Sequence, residues 1–180
     1  MVKSVNRQPI QKLPEYLFYL NRANYVMNPP IFNYRAISTK TGRLMGDISC
    51  HKSDIQLRPD YEGTSLAIDY LASYPMKKGV GTTMINFAKT LSKKWGCNGY
   101  ILLKADNSIF PSAVPHLFYR KMGFTTLNKK TDKKIDKFIK KGVSATKKDF
   151  RTDLMFFPQP KQKLTLWDKL KNAILPNKHN

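Results

Sequence analysis

Apolar residues change their spacing repeatedly along the chain, and each change marks a different kind of element. Leu13, Tyr16, Leu17, Tyr19, Leu20 and Tyr25 fall at mixed helical intervals around Pro14. Proline is best tolerated in a first helical turn, so this spacing predicts a helix from Pro14 to Ala23. Asn28-Pro29-Pro30 ends it. From Phe32 to Thr39 the pattern alternates, Lys40-Thr41-Gly42-Arg43 supplies turn residues, and Leu44 to His51 reads as the returning strand of a hairpin. A polar loop with Asp54, Pro59, Asp60, Glu62 and Gly63 leads to a third strand, Ser65 to Ser73. These strands are predicted to run antiparallel in succession.

After Tyr74-Pro75 the period becomes helical. Val80, Met84, Ile85, Ala88, Leu91 and Trp95 form one stripe of a helix from Gly79 to Trp95, closed by Gly96 and Gly99. Tyr100 to Ala105 is a short apolar strand, Ser112 to Met122 a second helix closed by Gly123, and Phe124 to Leu127 another strand. A strand returned by a helix enters the sheet in the same direction, so the order predicts an α/β fold with at least one parallel pair. Further on, Asp132 to Lys141 fits a helix with Ile135, Phe138 and Ile139 inward, and Asp153 to Phe157 fits a last strand. Pro158 and Pro160 then end the domain. Leu166, Trp167, Leu170, Ala173 and Ile174 share one face of an amphipathic tail. The predicted organisation is therefore a domain over 1–158 and a basic extension over 159–180.

Charge adds to this picture. The 180 residues carry 32 Lys and Arg against 12 Asp and Glu, a net charge of +20. Half of that excess lies from Lys129 onward, where fourteen Lys and one Arg face five Asp. With 41% hydrophobic residues a sizeable core is available, and disorder throughout is excluded. No stretch has the roughly 18 apolar residues of a membrane-spanning helix, and the start of the chain does not read as a signal peptide, so a cytoplasmic address is expected. Cys50 and Cys97 are too few and too far apart for a disulfide framework or a metal knuckle, and are expected to be reduced thiols.

The informative chemistry sits where the third strand meets the long helix, in Tyr74-Pro75-Met76-Lys77-Lys78-Gly79-Val80-Gly81-Thr82-Thr83. Two glycines permit close backbone approach, and a helix N-terminus offers free N–H groups and about half a positive charge to an anion such as a pyrophosphate. Neither the P-loop nor the dinucleotide fingerprint is present, because the first lacks its G-K-[ST] ending and the second meets Met84 where a third glycine is needed. The plain alternative is that Gly79 and Gly81 only shape a tight strand-to-helix turn.

A second element is Phe118-Tyr119-Arg120-Lys121-Met122-Gly123-Phe124. Together the two segments resemble the GNAT superfamily of acyl-CoA-dependent N-acyltransferases. Met76 to Gly81 matches its [QR]-x-x-G-x-[GA] phosphate loop except at Met76, and Phe118 to Phe124 matches its later signature. The resemblance spans about 33–127. It implies a mixed, mostly antiparallel central sheet, flanked by helices, with a parallel pair at the cofactor site. It also implies N-acetyl transfer from acetyl-CoA to the primary amine of a small molecule or protein, directly and without a metal. By the same resemblance the amides of Lys77, Lys78, Gly79, Val80, Gly81, Thr82 and Thr83 hold the pyrophosphate. Ser112 stands near the position that caps the second helix, with Asn107 earlier. Leu71, Ala72 or Ser73 offers an amide to the acetyl carbonyl, and Tyr119 lies near the sulfur as general acid.

A phenol of pKa about 10 keeps its proton at neutral pH and can donate to the departing thiolate. The alternative is a core tyrosine between Phe118 and Phe124. Asp69 is the candidate base for the incoming ammonium, with Asp47 and Glu62 as competitors. His116, three residues before Tyr119, shares its helix face, while His51 lies toward the far end of its strand. The competing function is a catalytically impaired protein of the same fold that binds RNA, a ribosome or an acidic protein through its lysines. Weak polyanion binding and a homodimer complete the expected partners.

Overall fold

The computed structural model describes residues 11–13, 15–55, 63–74, 79–106, 114–146, 148–150 and 153–157. In chain order these form β1 (Gln11–Leu13), β2 (Tyr16–Asn24), β3 (Ile31–Ser38), β4 (Leu44–Ser53), β5 (Ser65–Ser73) and α1 (Val80–Lys94). There follow β6 (Ile101–Ala105), α2 (Pro115–Lys121), β7 (Thr125–Thr126), α3 (Lys129–Lys141) and β8 (Asp153–Phe157). The strands make one eight-stranded sheet in the order β1-β2-β3-β4-β5-β6-β8-β7. Strands β1 to β5 are antiparallel in succession, β5 and β6 run parallel, and β8 inserts antiparallel between β6 and β7. This is the mixed, mostly antiparallel sheet with a parallel pair that the sequence predicts. The tail over 159–180 lies outside the described residues.

The predicted helix over Pro14 to Ala23 is a strand. Tyr16, Phe18 and Leu20 point to one face and Leu17 and Tyr19 to the other, so every position of the run is apolar and neither period stands out. Partners decide the matter: Phe18 lies opposite Ala36 in the ladder and stacks on Phe87 of α1, ring centroids 4.1 Å apart. Elsewhere the differences are at boundaries. The strand predicted over Phe124 to Leu127 shrinks to two residues, and α3 begins at Lys129 because Asn128 caps it, its side chain accepting from the Lys130 N–H at 2.9 Å. The predicted hairpin turn closes with Gly42 N–H on the Ser38 carbonyl at 2.9 Å.

The main core lies between the sheet and its helices, with Tyr100 and Phe156 forming a small separate cluster. Met84, Ile85, Phe87 and Ala88 of α1 meet Ile48 and Cys50 of β4, Leu66 and Ile68 of β5, and Ile101, Leu103 and Ala105 of β6. The same cluster continues through Phe124, Ile135 and Phe150, so α3 packs into it as well. Burial raises the Cys50 thiol well above its usual range, keeping it protonated, and Cys97 is equally buried and forms no disulfide.

Gly46 sets the closest approach in this core. A Cβ there would lie 2.5 Å from the Ala72 carbonyl oxygen and 2.5 Å from Met84 Sδ. Met84 can swing away, but the backbone of β5 cannot without breaking its ladder. Gly46→Ala is therefore expected to destabilise the fold by about 2 to 3 kcal/mol, read as a thermal midpoint lowered by roughly 4 to 12 °C. An unchanged midpoint would mean that β4 and β5 are not this close.

Candidate functional site

The parallel pair is short. β5 and β6 are in register at Leu66↔Ile101, Ala67↔Leu102 and Ile68↔Leu103, and there their pairing stops, although β5 continues to Ser73. Beyond that point Lys104 and Ala105 of β6 pair with β8 alone among the described residues. Among the described residues, the β5 edge from Asp69 to Ser73 therefore faces a notch. Alternation along a strand decides which peptide groups look into it. The Ala72 carbonyl lies against Gly46, and Tyr74 N–H donates to the Met45 carbonyl at 2.7 Å, so these two residues address β4. The peptide groups of Leu71 and Ser73 are then directed the other way, into the notch.

The chain leaves β5 through residues 75–78, which include Lys77 and Lys78 and lie outside the described residues, and enters α1 at Gly79. The two glycines have different reasons to be there. Gly79 is the N-cap in the left-handed region at φ 80°, where a side chain would be strained although a Cβ would meet nothing within 4 Å. Gly81 is a packing position, since a Cβ would come within 3.2 Å of the Phe118 ring. Both thus fit the tight turn, and the same turn leaves the N–H groups of Val80, Gly81 and Thr82 without partners inside the helix. Thr83 already bonds back to the Gly79 carbonyl at 3.1 Å. No acidic residue stands in the first turn to offset the helix dipole, so these donors suit a phosphate group.

Phe118 joins this end of α1 to α2. Its ring lies 5.2 Å from that of Tyr119, which in turn lies 5.6 Å from Phe124. Burial among these rings pushes the Tyr119 phenol up to about 12, so it holds its proton far above neutral pH. At the other end of the pair, Lys89 of α1 donates to the Met122 carbonyl at 3.3 Å and covers the Phe157 ring at 4.0 Å. Arg120 turns outward and ties α2 to α3, gripping Asp136 through two bonds of 2.8 Å. Asp136 is held below its ordinary range chiefly by that hydrogen bond. His116 points into the core instead: it is fully buried, its ring stacked on Phe150 at 5.2 Å. Ser112 and Asn107 lie outside the described residues.

The sheet face opposite α1 collects the remaining candidates. A bulge in β5 puts Ser49 opposite Tyr70 and Cys50 opposite Ile68, leaving Asp69 as the extra residue. Its carboxylate reaches back to His51 on β4, Oδ2 to Nδ1, at 2.8 Å. Asp47 is instead paired with Arg35 at 3.3 Å, and Glu62 lies outside the described residues. Tyr70 and Tyr74 are both exposed on the same edge, and a hydrogen bond with Tyr70 raises the Tyr74 phenol. Residue pattern points to Asp69 but gives His51 little weight, because only the bulge brings the two together. Gly46 escapes notice in the same way; a glycine inside an alternating strand is the available signal.

Among the described residues no group of three or more His, Cys, Asp or Glu is placed to hold a metal ion, and no helix is long and apolar enough to cross a membrane.

No protein-family profile matches the chain, and no curated protein matches it. Among solved structures it is similar to a histone acetyltransferase HPA2 and related acetyltransferase from Corynebacterium glutamicum, at 14% identity over 74% of this chain and 67% of that one, TM-score 0.45. It is also similar to NAA60 from Arabidopsis thaliana in complex with a bisubstrate analogue, at 16% identity over 71% and 74%, TM-score 0.41. A third is a mutant of the AtaT toxin bound to the C-terminus of the antitoxin AtaR and acetyl-CoA, at 18% identity over 71% and 68%, TM-score 0.44. Each is a likeness of overall fold and carries no residue's role across to this chain.

Proposed function

We propose that this protein is an N-acetyltransferase that moves an acetyl group from acetyl-CoA directly to a primary amine. The observation that carries the reading is the notch beside β5: the parallel pair ends at Ile68↔Leu103, and Leu71 and Ser73 then turn their peptide groups to the open side. The uncompensated N-terminus of α1 is close behind in the chain, Gly79 following six residues after Ser73. An extended thioester fits this arrangement, with its pantetheine arm along the strand edge and its pyrophosphate against the amides of Val80, Gly81 and Thr82, whereas the Thr83 N–H expected to join them is taken by the Gly79 carbonyl. Lys77 and Lys78, directly before Gly79 in sequence, add positive charge.

In this reading the Leu71 or Ser73 amide donates to the acetyl carbonyl oxygen as negative charge develops on it. Tyr119 supplies the proton that the coenzyme thiolate needs on leaving. The acceptor arrives as an ammonium of pKa about 10.4, and losing its proton near pH 7 costs about 4 to 5 kcal/mol, which a base at Asp69 would help to meet.

A coenzyme titration tests the reading. At a concentration one hundred times its dissociation constant, CoA is expected to stabilise the fold by about 2.7 kcal/mol, seen as a midpoint raised by roughly 5 to 10 °C. No shift at millimolar CoA would refute it. A second reading, polyanion binding without catalysis, has its own support in α3. Seven lysines lie on that helix, while its two acids are engaged, Asp136 by Arg120 and Asp132 by the Thr126 N–H at 2.9 Å. Salt-sensitive retention on single-stranded RNA, together with a null CoA titration, would favour it.

A further inference from the structure

The pairing of His51 with Asp69 changes which group can serve as the base. We propose that the His51 imidazole takes the proton from the acceptor ammonium and that Asp69 is the residue that positions it. This deepens the acetyltransferase reading and rests on it.

The geometry supports it from both strands. Asp69 is the bulged residue directly after Ile68, the last point at which β5 is paired with β6, so the dyad stands where the notch begins. Leu71, whose amide faces the notch, is two residues farther on, about 7 Å along the strand. The dyad lies on the open sheet face, His51 with 20% and Asp69 with 36% of the side chain exposed, so an acceptor can reach it from solvent. A carboxylate accepts hydrogen bonds but does not donate them. With Asp69 Oδ2 at 2.8 Å, His51 Nδ1 therefore carries the hydrogen, and the lone pair is left on Nε2. Asp69 has one oxygen committed to this bond, which makes it a better orienting group than a direct base.

Among the described residues little else titratable faces the ring. On β3 the pairing of Phe32 with Cys50 sets Ile31 beside His51, and on β5 the residue opposite His51 is Ala67. Cys50, the neighbour on β4, is buried with its thiol held protonated. Lys52 follows His51 on the same strand.

In the proposed reaction His51 Nε2 accepts one proton from the ammonium, and the freed nitrogen lone pair attacks the thioester carbonyl carbon. The C–S bond breaks as the tetrahedral intermediate collapses, and the thiolate takes the phenolic proton of Tyr119. The new amide nitrogen sheds its extra proton, which restores Tyr119 through solvent, and the His51 imidazolium releases its proton to water.

The test uses the full chain with acetyl-CoA and lysine methyl ester, and compares wild type with His51→Gln and Asp69→Asn. His51→Gln is expected to lower kcat/KM about 100-fold at pH 7 and to flatten the acid limb of its pH profile, while CoA binding by thermal shift stays unchanged. Asp69→Asn is expected to lower the rate less, to keep an acid limb, and to lose the Nδ1–H tautomer of His51 in a nitrogen-15 imidazole spectrum. A His51→Gln rate within about threefold of wild type, with the same acid limb, overturns the base assignment while leaving acetyl transfer standing. A wild type that neither binds CoA nor forms product overturns the acetyltransferase reading itself, and the base assignment with it.

Discussion

Phe87→Ala is expected to remove about 3 to 5 kcal/mol of folding stability, measured by denaturant titration, because it empties the centre of the junction between the sheet and α1. Phe87 is fully buried. One face stacks on Phe18 of β2 at 4.1 Å and an interplanar angle of 2°, while Tyr34 of β3 meets it edge-on at 5.2 Å. Its loss therefore unpins two strands at once. Neither neighbour can refill the space easily: Phe18 is held in the ladder opposite Ala36, and Tyr34 opposite Ile48 on its other side. For a chain of this size the midpoint falls by roughly 6 to 20 °C. A loss below about 1 kcal/mol would show that β2 does not pack on α1, and would revive the helix that the spacing of Leu13 to Tyr25 suggests.

That helix shows where the sequence stops being legible. Alternation identifies β3 and β4 almost to their ends because each has one more buried and one wetter face, whereas β5, buried on both faces from Ser65 to Ile68, is read from its apolar run after a polar loop. In β2 both faces are apolar, and the deciding contacts, Phe18 with Ala36 and Phe87, are far away in sequence. The helix α1 is readable because its buried stripe, Val80 to Leu91, is flanked by polar positions and opens and closes on glycine. The site is partly readable on the same grounds. Gly79, Gly81 and Tyr119 announce themselves through local motifs, and the structure explains each locally, as a left-handed cap, a packing gap against Phe118, and a phenol enclosed by aromatic rings. The His51–Asp69 pair is different. Register fixes it, and register here depends on one extra residue in β5, which no pattern of residue types records.

Tyr119→Phe is expected to lower kcat about 100-fold while leaving CoA affinity within a factor of about two, because only the hydroxyl is lost and the ring packing against Phe118 and Phe124 remains. The magnitude follows from the acid's strength. With the phenol at about 12, full transfer to a thiolate of ordinary pKa near 8.5 would be uphill by about 5 kcal/mol. In the proposed reaction the enclosure that raises Tyr119 would also desolvate the departing sulfur and raise its proton affinity, so that the two approach each other and a strong hydrogen bond grows into proton transfer as the C–S bond breaks. The pH dependence has a definite sign. A phenol raised by burial stays protonated through the range where a free one near about pH 10 would ionise, so the wild-type rate should show no fall attributable to Tyr119 until the pH approaches about 12. An alkaline limb near about pH 10 in the wild type that vanishes in Tyr119→Phe would mean that the phenol is not enclosed in the working enzyme. Equal loss of turnover and of CoA binding would return Tyr119 to a core residue between Phe118 and Phe124, with the thiolate protonated from water.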